Sequence, residues 1–128
     1  MFKREKTLLM PLRIPSGWKV FFNIFFDTDP IVENDEFVNF DEFTEDLLSI
    51  VRDWVEAPLR HHYAIDLGWY PSESFPGSYR LSLINLDNGA ILRVYESVDR
   101  EKIRQAIEEW LLLLSYHEDY TEIKEWPV

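Results

Sequence analysis

Two runs of alternating apolar and polar residues, joined by an Asn-Gly pair at 88–89, constrain the fold of this chain most strongly. The runs are SYRLSLINL at 78–86 and AILRVYES at 90–97. A period of two is typical of half-buried strands, and Asn-Gly between two such runs favours a tight turn. We therefore predict an antiparallel hairpin in which Leu83 faces Val94. Its expected core face consists of Leu81, Leu83, Leu92 and Val94.

A helical period replaces this alternation towards the C-terminus. Over residues 99–117 the apolar residues recur at the spacing of one helix face, and Ser97 or Asp99 can cap the helix. The expected apolar stripe consists of Ile103, Ala106, Ile107, Trp110, Leu111 and Leu114.

A second amphipathic helix is predicted for the segment VNFDEFTEDLLSIVRDWVEAP at 38–58. Asn39 and Glu42 have the spacing of a capping box, and Pro58 would end the helix. Its apolar stripe would consist of Phe43, Leu47, Ile50, Val51, Trp54 and Val55.

Three further strands are predicted at 7–14, 18–27 and 62–70. Pro11 places the first strand at a sheet edge, because proline cannot donate a hydrogen bond to a ladder. Phe21 and Phe25 fall on one face of the second strand, and this partly open face could form a homodimer with a second copy.

These elements predict an α+β fold. We expect a two-layer sandwich of about five mainly antiparallel strands with two amphipathic helices on one face. A chain of 128 residues is expected to form a single domain, 1–128.

Composition excludes several classes of protein. The chain has no cysteine, so a disulfide scaffold, a thiolate metal site and a cysteine nucleophile are excluded. A net charge of −11 would repel a nucleic-acid backbone or an anionic membrane and attract a basic protein partner. No apolar run approaches the roughly 20 residues of a membrane span, and the N-terminus makes a poor signal peptide, so we expect a cytoplasmic protein.

Residues 27–46, DTDPIVENDEFVNFDEFTED, carry nine Asp or Glu residues and no Lys or Arg. Asp41 and Glu42 suit the first turn of the predicted helix, where they complement its dipole. No local rule accounts for the others in the strand-to-helix loop. We predict that this group binds cations of a partner: Asp27, Asp29, Glu33, Asp35 and Glu36.

Aromatic residues border the loop PSESFPG at 71–77. Trp69, Tyr70 and Phe75 are predicted as partly exposed anchors of a protein–protein interface, where aromatic residues are enriched. Core packing is the alternative for each residue, because Trp69 also falls on the apolar face of the strand at 62–70.

A different class of function is suggested by HHYAID at 61–66. His61, His62, Asp66 and Tyr70 could serve a small enzyme or a ligand-binding domain, since His62 and Asp66 fall on one side of a strand. No third metal ligand stands at suitable spacing, and adjacent histidines at such a junction are commonly exposed polar residues. The chain also lacks a serine-nucleophile motif and a Gly-rich phosphate loop. We therefore predict no catalytic residue, no metal and no cofactor.

Three segments resemble small bacterial immunity proteins that act beside secreted polymorphic toxins. They are LRIPSGWKVFFNIFFDTDP at 12–30, IDLGWYP at 65–71 and GSYRLSLI at 77–84. The resemblance implies a cytosolic protein that binds a toxin and neutralises it by occlusion. It assigns no functional residue, because the shared segments consist of turns and strand starts. The net negative charge agrees with a basic toxin domain as the partner.

Overall fold

The two alternating runs of the sequence form neighbouring strands at one side of a five-stranded antiparallel sheet. The computed structural model describes residues 7–52, 62–117 and 119–127. Its strands are β1 (Trp18–Asn23), β2 (Val32–Glu33), β3 (Glu36–Phe37), β4 (Leu48–Arg52), β5 (Tyr63–Tyr70), β6 (Ser78–Asn85) and β7 (Ala90–Ser97). The helix α1 spans Arg100–Ser115, and short 3-10 turns span Phe40–Glu42 and Tyr120–Glu122.

The main sheet has the order β1-β4-β5-β6-β7, and every neighbouring pair is antiparallel. Alternate residues of β5 and β6 point to one face and are buried there, as the period of two predicts. These core residues are Tyr63, Ile65, Leu67, Trp69, Tyr79, Leu81 and Leu83.

The helix α1 covers this core face and contacts β6 and β7. Every residue of its predicted apolar stripe is buried, so that prediction is confirmed. Asp99 is its N-cap, and the carboxylate accepts hydrogen bonds from the backbone N–H groups of Glu101 and Lys102. Among the described residues, no helix is long and apolar enough to cross a membrane.

The predicted helix at 38–58 is wrong over its described part. The described residues confirm an α+β fold, and they contain one α-helix rather than two. Residues 48–52 instead form β4, which lies between β1 and β5. Leu48 and Ile50 are buried and Ser49 points away, so this short apolar run also fits a period of two. Pairing with strands on both sides therefore decided its conformation. Trp54, Val55 and Pro58 lie outside the described residues.

The hairpin of β6 and β7 forms, but its predicted register is wrong. Asn85 pairs with Ala90, which leaves residues 86–89 as the loop, and a bulge follows at Leu83 and Ile84. The side chain of Asn85 accepts a hydrogen bond from the backbone of Asp87, which stabilises this longer loop. Val94 consequently faces Ser82 on the outer face of the sheet. Its side chain is 48% exposed, although the sequence placed it in the core.

Phe21 and Phe25 differ in exposure, so the prediction that both lie on one partly open face of the sheet is wrong. The pairing of β1 with β4 is irregular between Val20 and Phe22. Residues after this irregularity therefore point to the opposite face of the sheet from the one that a strict period of two predicts. Phe21 is 64% exposed, whereas Phe25 is fully buried against the ring of Tyr79. The predicted strand at 7–14 contributes one isolated bridge, between Leu9 and Phe26.

Candidate functional site

The acidic segment folds into a small hairpin, which the sequence reading treated as a loop. Val32 pairs with Phe37, and Glu33 pairs with Glu36. Asn34 and Asp35 connect the two strands with φ angles of 50° and 62°. Two consecutive left-handed residues are typical of the tight hairpin turn that Asn and Asp tolerate best. We call residues 31–38 the acidic hairpin.

Asn39 attaches the acidic hairpin to the rest of the fold. Its side-chain oxygen accepts a hydrogen bond of 2.8 Å from the backbone of Ile31, and its amide donates one of 3.0 Å to the carbonyl of Asp29. The residue is buried, so both bonds are shielded from water. Asn39 therefore closes the base of the hairpin and does not cap a helix through its side chain.

Glu33, Asp35 and Glu36 form the exposed tip of the acidic hairpin. Within the described parts of the chain, none of the three lies at ion-pair distance from a cation. Glu33 stands directly opposite Glu36, and like charges in that position destabilise a strand pair. The tip thus carries negative charge that the described structure does not compensate.

Asp27 and Asp29, in contrast, both form ion pairs with Arg100 at the start of α1. The Nε of Arg100 lies 2.9 Å from Oδ1 of Asp27, and its Nη1 forms an ion pair with Asp29. The hydrogen bond to Asp29, with further support from Asp27, raises the pKa of the guanidinium above its ordinary value. Two of the five acids predicted to bind a partner therefore have an internal role.

A groove of about 600 Å³ lies beside the acidic hairpin and is open to solvent. We call it the apolar groove, since most of its surface is carbon. Its lining residues come from the hairpin base, the end of β5, the 71–77 loop and the start of α1: Asp29, Pro30, Trp69, Phe75, Pro76, Gly77, Val98, Asp99, Arg100 and Glu101.

Phe75 joins the apolar groove to the acidic hairpin. Its side chain is 53% exposed in the groove wall, as predicted for an anchor. Its ring centroid also lies 5.8 Å from that of Phe37 in β3. The hairpin and the groove are thus neighbouring parts of one surface.

Trp69 supports the groove from within and offers almost no surface to a partner. The residue is 1% exposed, and its indole N–H donates a hydrogen bond of 2.8 Å to the carbonyl of Ser74. The rings of Phe43 and Tyr79 pack edge-on against it. The prediction of Trp69 as an exposed anchor is therefore corrected, and its alternative role in the core applies.

Tyr70 points to the opposite, outer face of the sheet. The guanidinium of Arg80 lies over its ring at 4.5 Å. Tyr70 and Asp66 line a cleft of about 140 Å³, far smaller than the several hundred Å³ typical of a ligand site. Tyr70 is thus separated from Phe75 and the groove.

His62 does not converge with Asp66, the second residue of the alternative enzyme reading. The Nδ1 of His62 lies 3.1 Å from Asp87 in the hairpin loop, whereas Asp66 accepts a hydrogen bond of 2.7 Å from Ser49. His61 lies outside the described residues. In the part of the chain that the structure describes, no cluster of three or more His, Asp or Glu residues could hold a metal ion.

Comparison with known proteins adds no relative. No family model, curated protein or solved structure gives a significant match to this chain.

Two features that shape this surface were not predicted from the sequence: the pairing of the acidic hairpin and the role of Arg100. The acidic hairpin had a readable signal, because Asn34 and Asp35 stand between Val32 and Phe37. The role of Arg100 had no such signal, since 73 residues separate it from Asp27.

Proposed function

We propose that this protein is a non-enzymatic acidic binding protein that captures a basic protein domain through the acidic hairpin and the apolar groove. More specifically, we propose an immunity protein that neutralises a basic toxin domain by occlusion in the cytoplasm. The observation that carries the proposal is the position of Glu33, Asp35 and Glu36 beside an exposed apolar groove.

The two parts of this surface have complementary physical roles. Uncompensated carboxylates at an exposed tip attract a basic partner over a Debye length and raise its association rate. Desolvated apolar contacts in a groove supply most of the affinity, because exposed charge pairs contribute little free energy. Phe75 provides such a contact next to the charged tip.

Neutralisation by occlusion requires only a complementary surface. We therefore propose no catalytic residue, metal or cofactor for this function. The resemblance of residues 12–30, 65–71 and 77–84 to bacterial immunity proteins supports the choice of a toxin domain as the partner.

The test is a growth assay in bacteria that produce the toxin domain encoded beside the gene of this protein. Co-production of this protein should restore growth, and the two purified proteins should form a stable complex in size-exclusion chromatography. Continued killing in its presence, or a neighbouring gene that encodes no basic toxin domain, would contradict the proposal.

A further inference from the structure

The apolar groove is large enough for a short peptide segment. Its volume of about 600 Å³ lies within the range typical of ligand-binding clefts. Phe75 and Val98 offer much of their side chains to it, at 53% and 66% exposure. Pro30 and Pro76 complete a wall of rigid apolar residues. Such a wall favours apolar side chains of an incoming segment.

The charged groups around the groove are already satisfied. Asp29 is paired with Arg100, and Asp99 caps α1. Glu101 forms an ion pair of 2.8 Å with Arg104. A cation entering the groove would have to compete with these contacts, whereas an apolar side chain leaves them intact.

The acidic hairpin next to the groove has the opposite character. Glu33, Asp35 and Glu36 lack a cation among the described residues, and Phe37 of the same hairpin contacts Phe75. One surface therefore presents an apolar cleft and, beside it, uncompensated negative charge. Its complement is a segment with apolar residues next to basic ones.

We propose that the apolar groove binds a short partner segment in which one or two apolar side chains are flanked by Lys or Arg. The apolar side chains contact Phe75 and Val98, and the flanking cations lie against the acidic hairpin. This inference rests on the proposed function and specifies the chemistry of the segment that is recognised.

The experiment uses three synthetic peptides and nuclear magnetic resonance of the full chain. KKLFKK combines both features, KKGGKK keeps only the charge, and EELFEE keeps only the apolar residues. KKLFKK should shift the amide signals of Gly77 and Val98 together with those of the hairpin. KKGGKK should shift the hairpin signals alone and bind about tenfold more weakly, and EELFEE should not bind.

A matched pair of valine variants tests the location. Val98→Asn places an amide in the groove wall, whereas Val94→Asn makes the same change at an exposed position on the outer face of the sheet. Both side chains are exposed, so both variants should fold. Val98→Asn should weaken KKLFKK binding several-fold to about tenfold and leave KKGGKK unchanged. Val94→Asn should change neither.

The outcomes separate this inference from the proposed function. If KKLFKK shifted only hairpin signals and Val98→Asn had no effect, the groove assignment would be wrong, while protection from the toxin could still hold. Equal binding of KKLFKK and EELFEE would overturn the requirement for flanking cations. Groove binding of KKLFKK without any toxin complex would support the segment chemistry and contradict the proposed partner.

Discussion

The guanidinium of Arg100 contacts the carboxylate of Asp27 at 2.9 Å, across 73 residues of sequence. With Asp29 as its second partner, Arg100 offsets part of the negative charge at the base of the acidic segment. The tip of the acidic hairpin has no such cation among the described residues. Negative charge in this segment is therefore divided into a structural part and a part that is open to a partner.

Removing the cation from the structural part should destabilise the fold modestly. We expect Arg100→Gln to lower the free energy of unfolding by about 1 kcal/mol or less, because the three side chains are partly exposed and water screens their interaction. The stability difference between Arg100→Gln and the wild type should be smaller at high salt. Salt screens the attraction to Arg100 that the variant loses, and it also screens the repulsion between Asp27 and Asp29 that the variant leaves unopposed. Urea unfolding at low and high salt measures both effects.

Glu96→Gln is the control, because it breaks an exposed ion pair with Arg80 on the outer face of the sheet and keeps the guanidinium of Arg80 over the ring of Tyr70. It should change stability less than Arg100→Gln. Equal effects of the two variants would show that the contact with Asp27 and Asp29 has no special structural role.

Removing the charges of the hairpin tip should stabilise the fold and, at the same time, weaken the attraction of a basic partner. In the triple variant Glu33→Gln, Asp35→Asn and Glu36→Gln, relief of the Glu33–Glu36 repulsion should raise the free energy of unfolding by about 0.2–1 kcal/mol. Association with the toxin domain should become slower and less dependent on salt. Stopped-flow kinetics over a salt series, with urea unfolding beside it, gives both readouts.

A second triple variant removes the same formal charge elsewhere: Glu109→Gln, Glu122→Gln and Glu125→Gln. These exposed residues do not line the apolar groove. If this control slowed association as much as the hairpin variant does, the net charge of the protein, and not the position of the hairpin charges, would determine the association rate.

Phe75 should be an energetic anchor of the complex. Phe75→Ala removes its contact with a partner and with Phe37, so the dissociation constant for the toxin domain should rise about tenfold or more. Phe21→Ala truncates a ring on β1 that is also more than half exposed, and it should leave affinity within about twofold. Isothermal titration calorimetry measures the dissociation constants of both variants. An unchanged constant for Phe75→Ala would show that this residue is not part of the interface.

Gly77 should be required for the packing of Trp69. A Cβ atom at Gly77 would lie 2.5 Å from Nε1 of the indole, so the buried ring would have to move and its hydrogen bond to Ser74 would weaken. We expect Gly77→Ala to cost about 1–3 kcal/mol of stability and to change the near-ultraviolet circular dichroism of the tryptophans. Ser74→Ala keeps the accepting carbonyl and should have little effect. Wild-type stability of Gly77→Ala would contradict this account.

Alkaline pH should destabilise the protein through its buried tyrosines. Burial raises the pKa of Tyr79 above the ordinary value of 10, and it also raises the pKa of Tyr63. Above pH 10 the unfolded chain releases protons that the folded chain retains, so the free energy of unfolding falls as pH rises. The slope should approach about 1.4 kcal/mol per pH unit for each such group.

Tyr79→Phe should flatten this decline and preserve the aromatic packing with Trp69 and Phe25. Tyr116→Phe, at an exposed position, is the matched control and should keep the wild-type slope. Denaturant unfolding across the alkaline range measures the slopes. Identical curves for Tyr79→Phe and the wild type would contradict the role of Tyr79.

Several elements were predictable because their apolar residues have a clear period. The sets in β5 and α1 each match one face of one element only, so their burial follows from local sequence. The run at Leu48–Arg52 was ambiguous, because five residues fit both a strand and a turn of helix. The exposure of Phe75 was predictable, whereas the burial of Trp69 was one of two open alternatives.

The sequence by itself determined the alternation of the central strands, the face of α1 that packs on them and the excess of negative charge. These properties depend on residue type and on spacings of two to four residues. Tertiary structure decided that Leu48–Arg52 pairs as a strand and that Val94 faces outward. It also decided that Asp27 and Asp29 pair with Arg100, while the hairpin tip has no cation among the described residues. The physical reason is that strand pairing, register and ion pairing depend on groups far apart in the chain, which only the folded protein brings within contact distance.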